Sequence, residues 1–300
     1  MKQILQDIKN GKTYLEDVPA PLNKIDNVII HSVYSLLSPG TERMIVNFSK
    51  SNLIGKAISQ PEKVNQVISK VKTDGLLPTI EAVKSKLDDP IPLGYCNVGV
   101  VNDSKCQNFS KGERIISNGP HAEVIRVHKH LCAKIPDNVS DETASFTIIG
   151  AIGLQGIRLI NPAIGESIVV YGLGLIGLIA IQILKANGCE VLGIDNDTNR
   201  CQIAKQLGVD IIDTSKDNNI LETVNIFSKN KGVDSVLITA SSKNNEIIQN
   251  AAKMCRVRGK IVLVGVVGLD IKREDFYEKE ISFQVSSSYG PGRYDKEYEE

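Results

Sequence analysis

Residues 165–197 read GESIVVYGLGLIGLIAIQILKANGCEVLGIDND. The apolar run through Tyr171 predicts a buried strand. It leads straight into Gly172-x-Gly174-x-x-Gly177, which opens an apolar helix. In this pattern the first glycine permits a tight turn, the second lets main chain approach a pyrophosphate, and the third lets helix and strand pack closely. The unpaired amides and the positive dipole end of the helix suit a phosphate. A second strand, Glu190 to Ile194, ends in Asp195, about twenty residues past the glycines, where a carboxylate accepts from ribose hydroxyls. Strand, glycines, helix, strand and acid together predict a Rossmann domain that binds NAD or NADP.

The expected cofactor contacts are Gly172, Gly174, Leu175, Ile176, Gly177 and Asp195. Asp195 favours NAD, because a 2′-phosphate would meet its charge, and Arg200 lies close enough to keep NADP open. Gly265, after the strand Ile261 to Val264, and Thr239, Ala240 and Ser241 are expected on the same carboxyl rim, where open α/β sheets bind ligands. A transferase holding another adenosine cofactor would share this pattern.

Working outward, strand candidates at 167–171, 190–195, 210–213, 234–239 and 260–264 alternate with helical stretches. They predict a doubly wound parallel sheet with right-handed crossovers. Upstream the texture differs. Asn27 to Val33, Gly94 to Val101, Arg114 to Ile116 and Ala122 to Val127 read as short strands of a compact β-barrel or sandwich. Pro39-Gly40 reads as a turn. Residues from about 48 to 90 read as a helical insertion with apolar stripes at Val64, Val67, Ile68 and Val71, and at Ile80, Val83 and Leu87. Ser140 is an expected N-cap with Asp141 and Glu142 in the first turn.

The chain has 300 residues, enough for about two domains. Lys plus Arg and Asp plus Glu are equal at 35 each, and there is no tryptophan. No basic patch argues for nucleic acid as the main partner. The N-terminus MKQILQDIKN lacks a signal-peptide core. The run Ile168 to Leu184 is near membrane-spanning length, but its glycines and Gln182 favour strand, turn and helix over a span. A cytoplasmic protein is expected. The six cysteines, Cys96, Cys106, Cys132, Cys189, Cys201 and Cys255, form no CxxC pair and read as reduced thiols.

The segment order resembles the medium-chain dehydrogenase/reductase family, the relatives of alcohol dehydrogenase. Further points of likeness are Lys111-Gly112-Glu113-Arg114-Ile115, Ala122-Glu123 and Ile135-Pro136-Asp137. Ser38-Pro39-Gly40-Thr41-Glu42-Arg43, Pro92-Leu93-Gly94-Tyr95 and Ser286 to Tyr294 are similar to the N-terminal module of bi-domain oxidoreductases. The first of these stretches is also shared in part with the bacteriochlorophyllide dehydrogenase branch. The resemblance implies a GroES-like catalytic domain over 1–139, a Rossmann domain over 140–285, and at 286–300 the start of a return segment. It further implies that the chain is a piece of a longer protein, with a fused or associated second oxidoreductase domain. A sugar derivative as substrate, a role in surface-polysaccharide metabolism and a homodimer paired near 281–287 follow from the same likeness.

The departures concern zinc. Classical members carry Cys-Gly-x-Asp where this chain has Ser38 to Glu42, and Gly-His-Glu where it has Gly94-Tyr95-Cys96. The third ligand position falls near Gly150, and the four-cysteine structural loop is missing. Zinc needs three or four N, S or O ligands, so neither a catalytic nor a structural zinc is expected. Hydrogen-bond donors must then handle the substrate oxygen. Tyr95 and Thr41 stand at or near lost ligand positions. Tyr95 is the candidate acid, Glu42 its orienter or a base, and His121 a proton relay. Beside these stand plainer readings: Tyr95 packs, Glu42 pairs with Arg43 or caps a helix, and His121 is structural. The overall reading is a zinc-independent NAD(P)-dependent oxidoreductase acting on an alcohol, ketone or sugar derivative. The alternative is a non-catalytic dinucleotide-binding scaffold or sensor.

Overall fold

A computed structural model describes residues 1–51, 55, 89–217, 219–295 and 298. Most of the helical insertion expected at 48–90 lies outside the described residues. Two compact units divide the chain, Met1–Thr147 and Ile148–Glu300.

The first unit is built on antiparallel strands: β1 (Lys2–Gln6), β2 (Thr13–Asp17), β3 (Asn27–Ser35), β4 (Ile91–Pro92), β5 (Asn97–Ser104), β6 (Arg114–Ser117), β7 (Val124–His128) and β8 (Cys132–Lys134). They form a three-stranded sheet, β2-β1-β4, and a five-stranded sheet, β7-β3-β5-β6-β8, with a bridge between Gln3 and Ala122. Alternation along β3 sends Val28 and Ile30 inward, where they meet Val101, Ile115, Ile125 and Val127.

Two expectations in this unit need correction. Pro39 and Gly40 do not make a turn; they open helix α1 (Pro39–Lys50). Proline is at home there because the N–H it lacks has no helical partner at that position. The strand expected from Gly94 starts only at Asn97, since Gly94 has φ +90° and breaks the extended run. A short helix, α2 (Asp141–Ala144), is capped as expected: Ser140 Oγ accepts the Thr143 N–H at 3.2 Å. Arg114 anchors it, donating from Nε to Asp141 at 2.9 Å and from Nη2 to the Val139 carbonyl at 2.8 Å.

The second unit contains all but the first residue of α3 (Thr147–Ile160) and continues as β9 (Ser167–Tyr171), α4 (Leu175–Ala186), β10 (Glu190–Asp195), α5 (Thr198–Gln206), β11 (Asp210–Asp213), α6 (Ile220–Phe227), β12 (Val233–Ile238), α7 (Glu246–Met254), β13 (Cys255–Leu263), α8 (Arg273–Tyr277) and β14 (Ser282–Val285). The six strands are all parallel, in the order β11-β10-β9-β12-β13-β14. This is the doubly wound Rossmann order, and it reverses between β9 and β12.

Both faces of the sheet are covered. Ile168 and Val170 of β9 pack with Ile157 and Ile160 of α3 and Ile181 and Leu184 of α4. Val169, between them, faces the other side with Val224 of α6 and Ile248 and Ala251 of α7. The three β9 residues have no exposed surface, and each such side chain contributes roughly 1.5–3 kcal/mol by leaving water. A strand buried on both faces must be apolar throughout, and this explains the unbroken run at 168–170. The near-membrane-length stretch Ile168 to Leu184 is thus β9, a turn and α4. Among the described residues no helix is long and apolar enough to cross a membrane.

Candidate functional site

In the second unit the fingerprint glycines sit where the strand order reverses. Gly172 takes φ +105°, and its N–H bonds to the Ile194 carbonyl at 2.7 Å. A Cβ added there would lie 2.5 Å from the Ala240 amide nitrogen, so the loops after β9 and β12 are in contact through a glycine with no room for a side chain. Gly177, in the first turn of α4, is equally tight: its Cβ would run into the Gly172 carbonyl oxygen and lie 2.9 Å from Thr239 Oγ1. Gly265 packs against Ala240 and Thr239 in the same way. Gly174 differs. It is the N-cap of α4, and a Cβ there would meet nothing within 4 Å. Open space therefore lies beside the helix start, where the amides of Leu175, Ile176 and Gly177 have no intrahelical partner.

Asp195 ends β10 beside this turn and is 6% exposed. One carboxylate oxygen accepts the Leu173 N–H at 2.6 Å and the other the Asp197 N–H at 2.9 Å. An ionised carboxylate has about four acceptor sites, so capacity for ribose hydroxyls remains. Arg200 places Nη1 3.7 Å from Asp195 and Nε 3.7 Å from Asp197, an exposed guanidinium spanning both acids. Thr239, Ala240 and Gly265 stand on the expected rim. The cradle thus brings together every sequence-predicted cofactor residue of this unit, and its open glycine, orphan amides and carboxylate fit a dinucleotide.

In the first unit Tyr95, Thr41, Glu42 and His121 do gather, but their pairing differs from expectation. Tyr95 donates its hydroxyl proton to Ser38 Oγ at 2.7 Å, while Thr41 Oγ1 is 3.4 Å away, long for a hydroxyl pair. Glu42 makes no hydrogen bond to Tyr95 and so does not orient it directly. Its Oε1 accepts the Ser38 N–H at 2.7 Å, and its Oε2 meets His121 Nε2 at 3.0 Å. Glu42 sits at the start of α1, and its reach back to Ser38 gives it the helix-capping role weighed as the plainer reading. His121 in turn contacts Ser35 Oγ through Nδ1 at 2.8 Å and does not reach Tyr95, so the expected relay between them is not built.

Burial explains this pairing. Glu42 is 6% and His121 8% exposed, and a buried carboxylate requires hydrogen-bonded partners. The imidazole lies flat against Gly94, where a Cβ would come 2.6 Å from the ring. Burial also pushes the Tyr95 phenol above its ordinary value; the hydroxyls of Ser38 and Thr41 pull it back, and the Cys96 thiol and Glu42 carboxylate push it further up. Sequence reasoning missed the roles of Ser38 and Ser35. The signal for Ser38 was its place before Pro39, an N-cap position; nothing local marked Ser35.

Ser38 and Tyr95, which stand where the resemblance places two zinc ligands, offer hydroxyls, not the thiolate, imidazole or carboxylate donors that zinc favours. Among the described residues no group of three His, Cys, Asp or Glu side chains could hold a metal ion.

Residues 176–300 match the family described as zinc-binding dehydrogenase. An alcohol dehydrogenase from Geobacillus stearothermophilus is 32% identical over 173 residues, which are 57% of this chain and 49% of that protein. The chain thus spans about half the length of this curated relative. The solved alcohol dehydrogenase TADH from Thermus sp. ATN1 superposes with a TM-score of 0.74 at 18% identity, covering 96% of this chain and 85% of that one. A structure from Sinorhizobium meliloti 1021, bound to NADP, gives 0.73 at 16% identity, covering 97% and 86%. The chain resembles the zinc-type medium-chain dehydrogenase/reductase family in sequence and has that family's fold.

Proposed function

We propose that this chain is an NAD(P)-dependent oxidoreductase of the alcohol dehydrogenase type that works without zinc. The carrying observation is the cradle at the sheet's reversal point, with an open N-cap glycine, three unpaired amides and Asp195 at the neighbouring strand end. Leu175, Ile176 and Gly177 would hold the pyrophosphate, and Asp195 the adenosine ribose. The nicotinamide ring supplies the carbon that gives or takes hydride. Tyr95 keeps a proton on its hydroxyl near neutral pH, since burial raises its phenol, and would donate it to the substrate oxygen in reduction. Arg200, beside Asp195, gives the adenosine end a cation able to face a 2′-phosphate.

The substrate class is an alcohol, ketone or sugar derivative; the sugar and a role in surface-polysaccharide metabolism rest on likeness to bi-domain oxidoreductases, as does a partner oxidoreductase domain. A homodimer paired through edge strand β14 is supported by β14 having, among the described residues, a strand neighbour on one side only, β13. A cytoplasmic location completes the reading.

Calorimetric titration with NADH and NADPH, followed by initial rates over a panel of aldehydes, ketones and nucleotide sugars, tests it. Saturable binding with turnover that a zinc chelator leaves unchanged supports it. Binding without turnover over the whole panel favours a scaffold or sensor instead. Displacement of bound dinucleotide by S-adenosylmethionine would point to a transferase.

A further inference from the structure

We propose that Ser38 is the residue that positions the Tyr95 hydroxyl for proton transfer, and that Glu42 and His121 are positioning residues behind Ser38 rather than members of a proton path. This rests on the functional reading above, in which Tyr95 handles the proton.

Ser38 is the N-cap of α1. A serine there ordinarily turns its hydroxyl onto an amide of the helix's first turn. Here the Ser38 side chain makes no capping bond. Its Oγ accepts from Tyr95 at 2.7 Å instead. The chain thus gives up a common local interaction at a buried position, 6% exposed, in favour of a partner 57 residues away. Such departures from local preference concentrate at functional sites.

Glu42 takes over part of the work at the helix start. It accepts the Ser38 N–H at 2.7 Å, and the Glu42 N–H bonds to the Ser38 carbonyl at 3.1 Å. Ser38 is therefore gripped through its main chain at both ends, with its hydroxyl left to Tyr95. His121 holds the other oxygen of Glu42 at 3.0 Å and is itself fixed by Ser35 at 2.8 Å and by Gly94 against its ring.

The same geometry breaks a relay. The Tyr95 half of the network reaches Ser38 through its hydroxyl, and the Glu42–His121–Ser35 half reaches it through its main-chain N–H. An amide is far too weak an acid to hand its proton on. Among the described residues no hydrogen-bonded route thus carries a proton from Tyr95 to Glu42, and the buried pair acts through geometry. The charged or titratable groups facing the Tyr95 hydroxyl are the Glu42 carboxylate and the Cys96 thiol, together with the neutral hydroxyls of Ser38 and Thr41.

The test follows the Tyr95 phenol in the whole chain without cofactor or substrate. Biosynthetic 3-fluorotyrosine titrates at lower pH than tyrosine, and 19F NMR reads each of the eight tyrosines, with Tyr95→Phe assigning the signal. Ser38→Ala is expected to move the Tyr95 midpoint up, because the hydroxyl that stabilises the phenolate is gone. Ser38→Thr, which keeps it, is expected to restore the wild-type curve. Glu42→Ala is expected to move the midpoint up as well, by releasing Ser38. Glu42→Gln keeps an acceptor for the Ser38 N–H and removes the nearby charge, so its midpoint is expected to stay or fall. Wild type and Ser38→Ala titrating together would overturn the proposal. So would a Glu42→Ala midpoint that falls like that of Glu42→Gln, since loss of the charge rather than release of Ser38 would then govern Tyr95. NADH calorimetry on the same proteins judges the oxidoreductase reading separately: absent binding sinks that reading whatever the 19F curves do.

Discussion

Asp195 Oδ2 accepts the main-chain N–H of Leu173 at 2.6 Å, so the acid expected to meet the ribose also braces the glycine turn expected to meet the pyrophosphate. The two halves of the cradle share one carboxylate. Replacing Asp195 by Ala removes both functions, and hydrogen bonds to charged groups contribute about 1.5–3 kcal/mol each. NADH affinity is therefore expected to fall by roughly ten- to a hundredfold. Asp195→Asn keeps an acceptor for Leu173 while losing the charge; it is expected to lose less NADH affinity and to improve the ratio of NADPH to NADH binding. Calorimetry with both nucleotides checks this, and equal affinities for wild type and Asp195→Ala would contradict it.

Gly177→Ala is expected to destabilise the fold by about 1–3 kcal/mol, the usual cost of overpacking. The added methyl runs into the Gly172 carbonyl and the Thr239 hydroxyl, both fixed by the sheet. Thermal unfolding measures it, and an unchanged melting temperature would show that the turn yields freely.

Asp213 supplies a pH-dependent contribution to stability. The hydroxyls of Ser215 and Thr198 hold its carboxyl well below the usual carboxylate range, burial opposes this, and the Ser215 N–H and Lys216 assist. The folded value lies below the unfolded one, about 3.9. The contribution is thus complete above that value and is lost as pH falls below it toward the folded value. The urea midpoints of wild type and Asp213→Asn are expected to differ at neutral pH and to converge as pH drops below about 3.9. A constant gap down to acid pH would contradict the assignment.

Two thiols are expected to be inert. Burial pushes Cys132 up to about 12, with the neighbouring Cys106 thiol adding to it, and burial pushes Cys255 up to about 12 against the pull of Lys279 and Arg256. At pH 8 only roughly one in ten thousand of either would be thiolate, the form that reacts. Iodoacetamide labelling of the native protein, read by mass spectrometry, is expected to leave both unmodified and to modify them once urea is added. Rapid labelling in the native state would refute this.

The sequence made the second unit legible because its signals are local. Glycine spacing, an apolar run buried on both faces and an acid at the next strand end each sit within a few turns of chain, and β9, α4 and β10 fall where the pattern places them. The first unit was legible in its strands but not in its polar contacts. Ser35 and His121 meet across 86 residues, and Glu42 and His121 across 79. Those partners are chosen by sheet pairing and by the burial of one carboxylate, neither of which is written in the neighbourhood of Tyr95. Pro39-Gly40 misled for a related reason: the residues that favour turns also open helices, and only the capping by Glu42 separates the two.

The most direct test of the central claim, that amides at the start of α4 hold a pyrophosphate, is a calorimetric titration of wild type and Gly174→Ala with NADH. A methyl at Gly174 touches nothing within 4 Å in the protein but occupies the space a phosphate would enter. The expected result is saturable binding at one site per wild-type chain, with affinity at least about tenfold weaker in Gly174→Ala and an unchanged melting temperature. Equal affinity in the two proteins, or no saturable binding of NADH or NADPH to wild type, would contradict it.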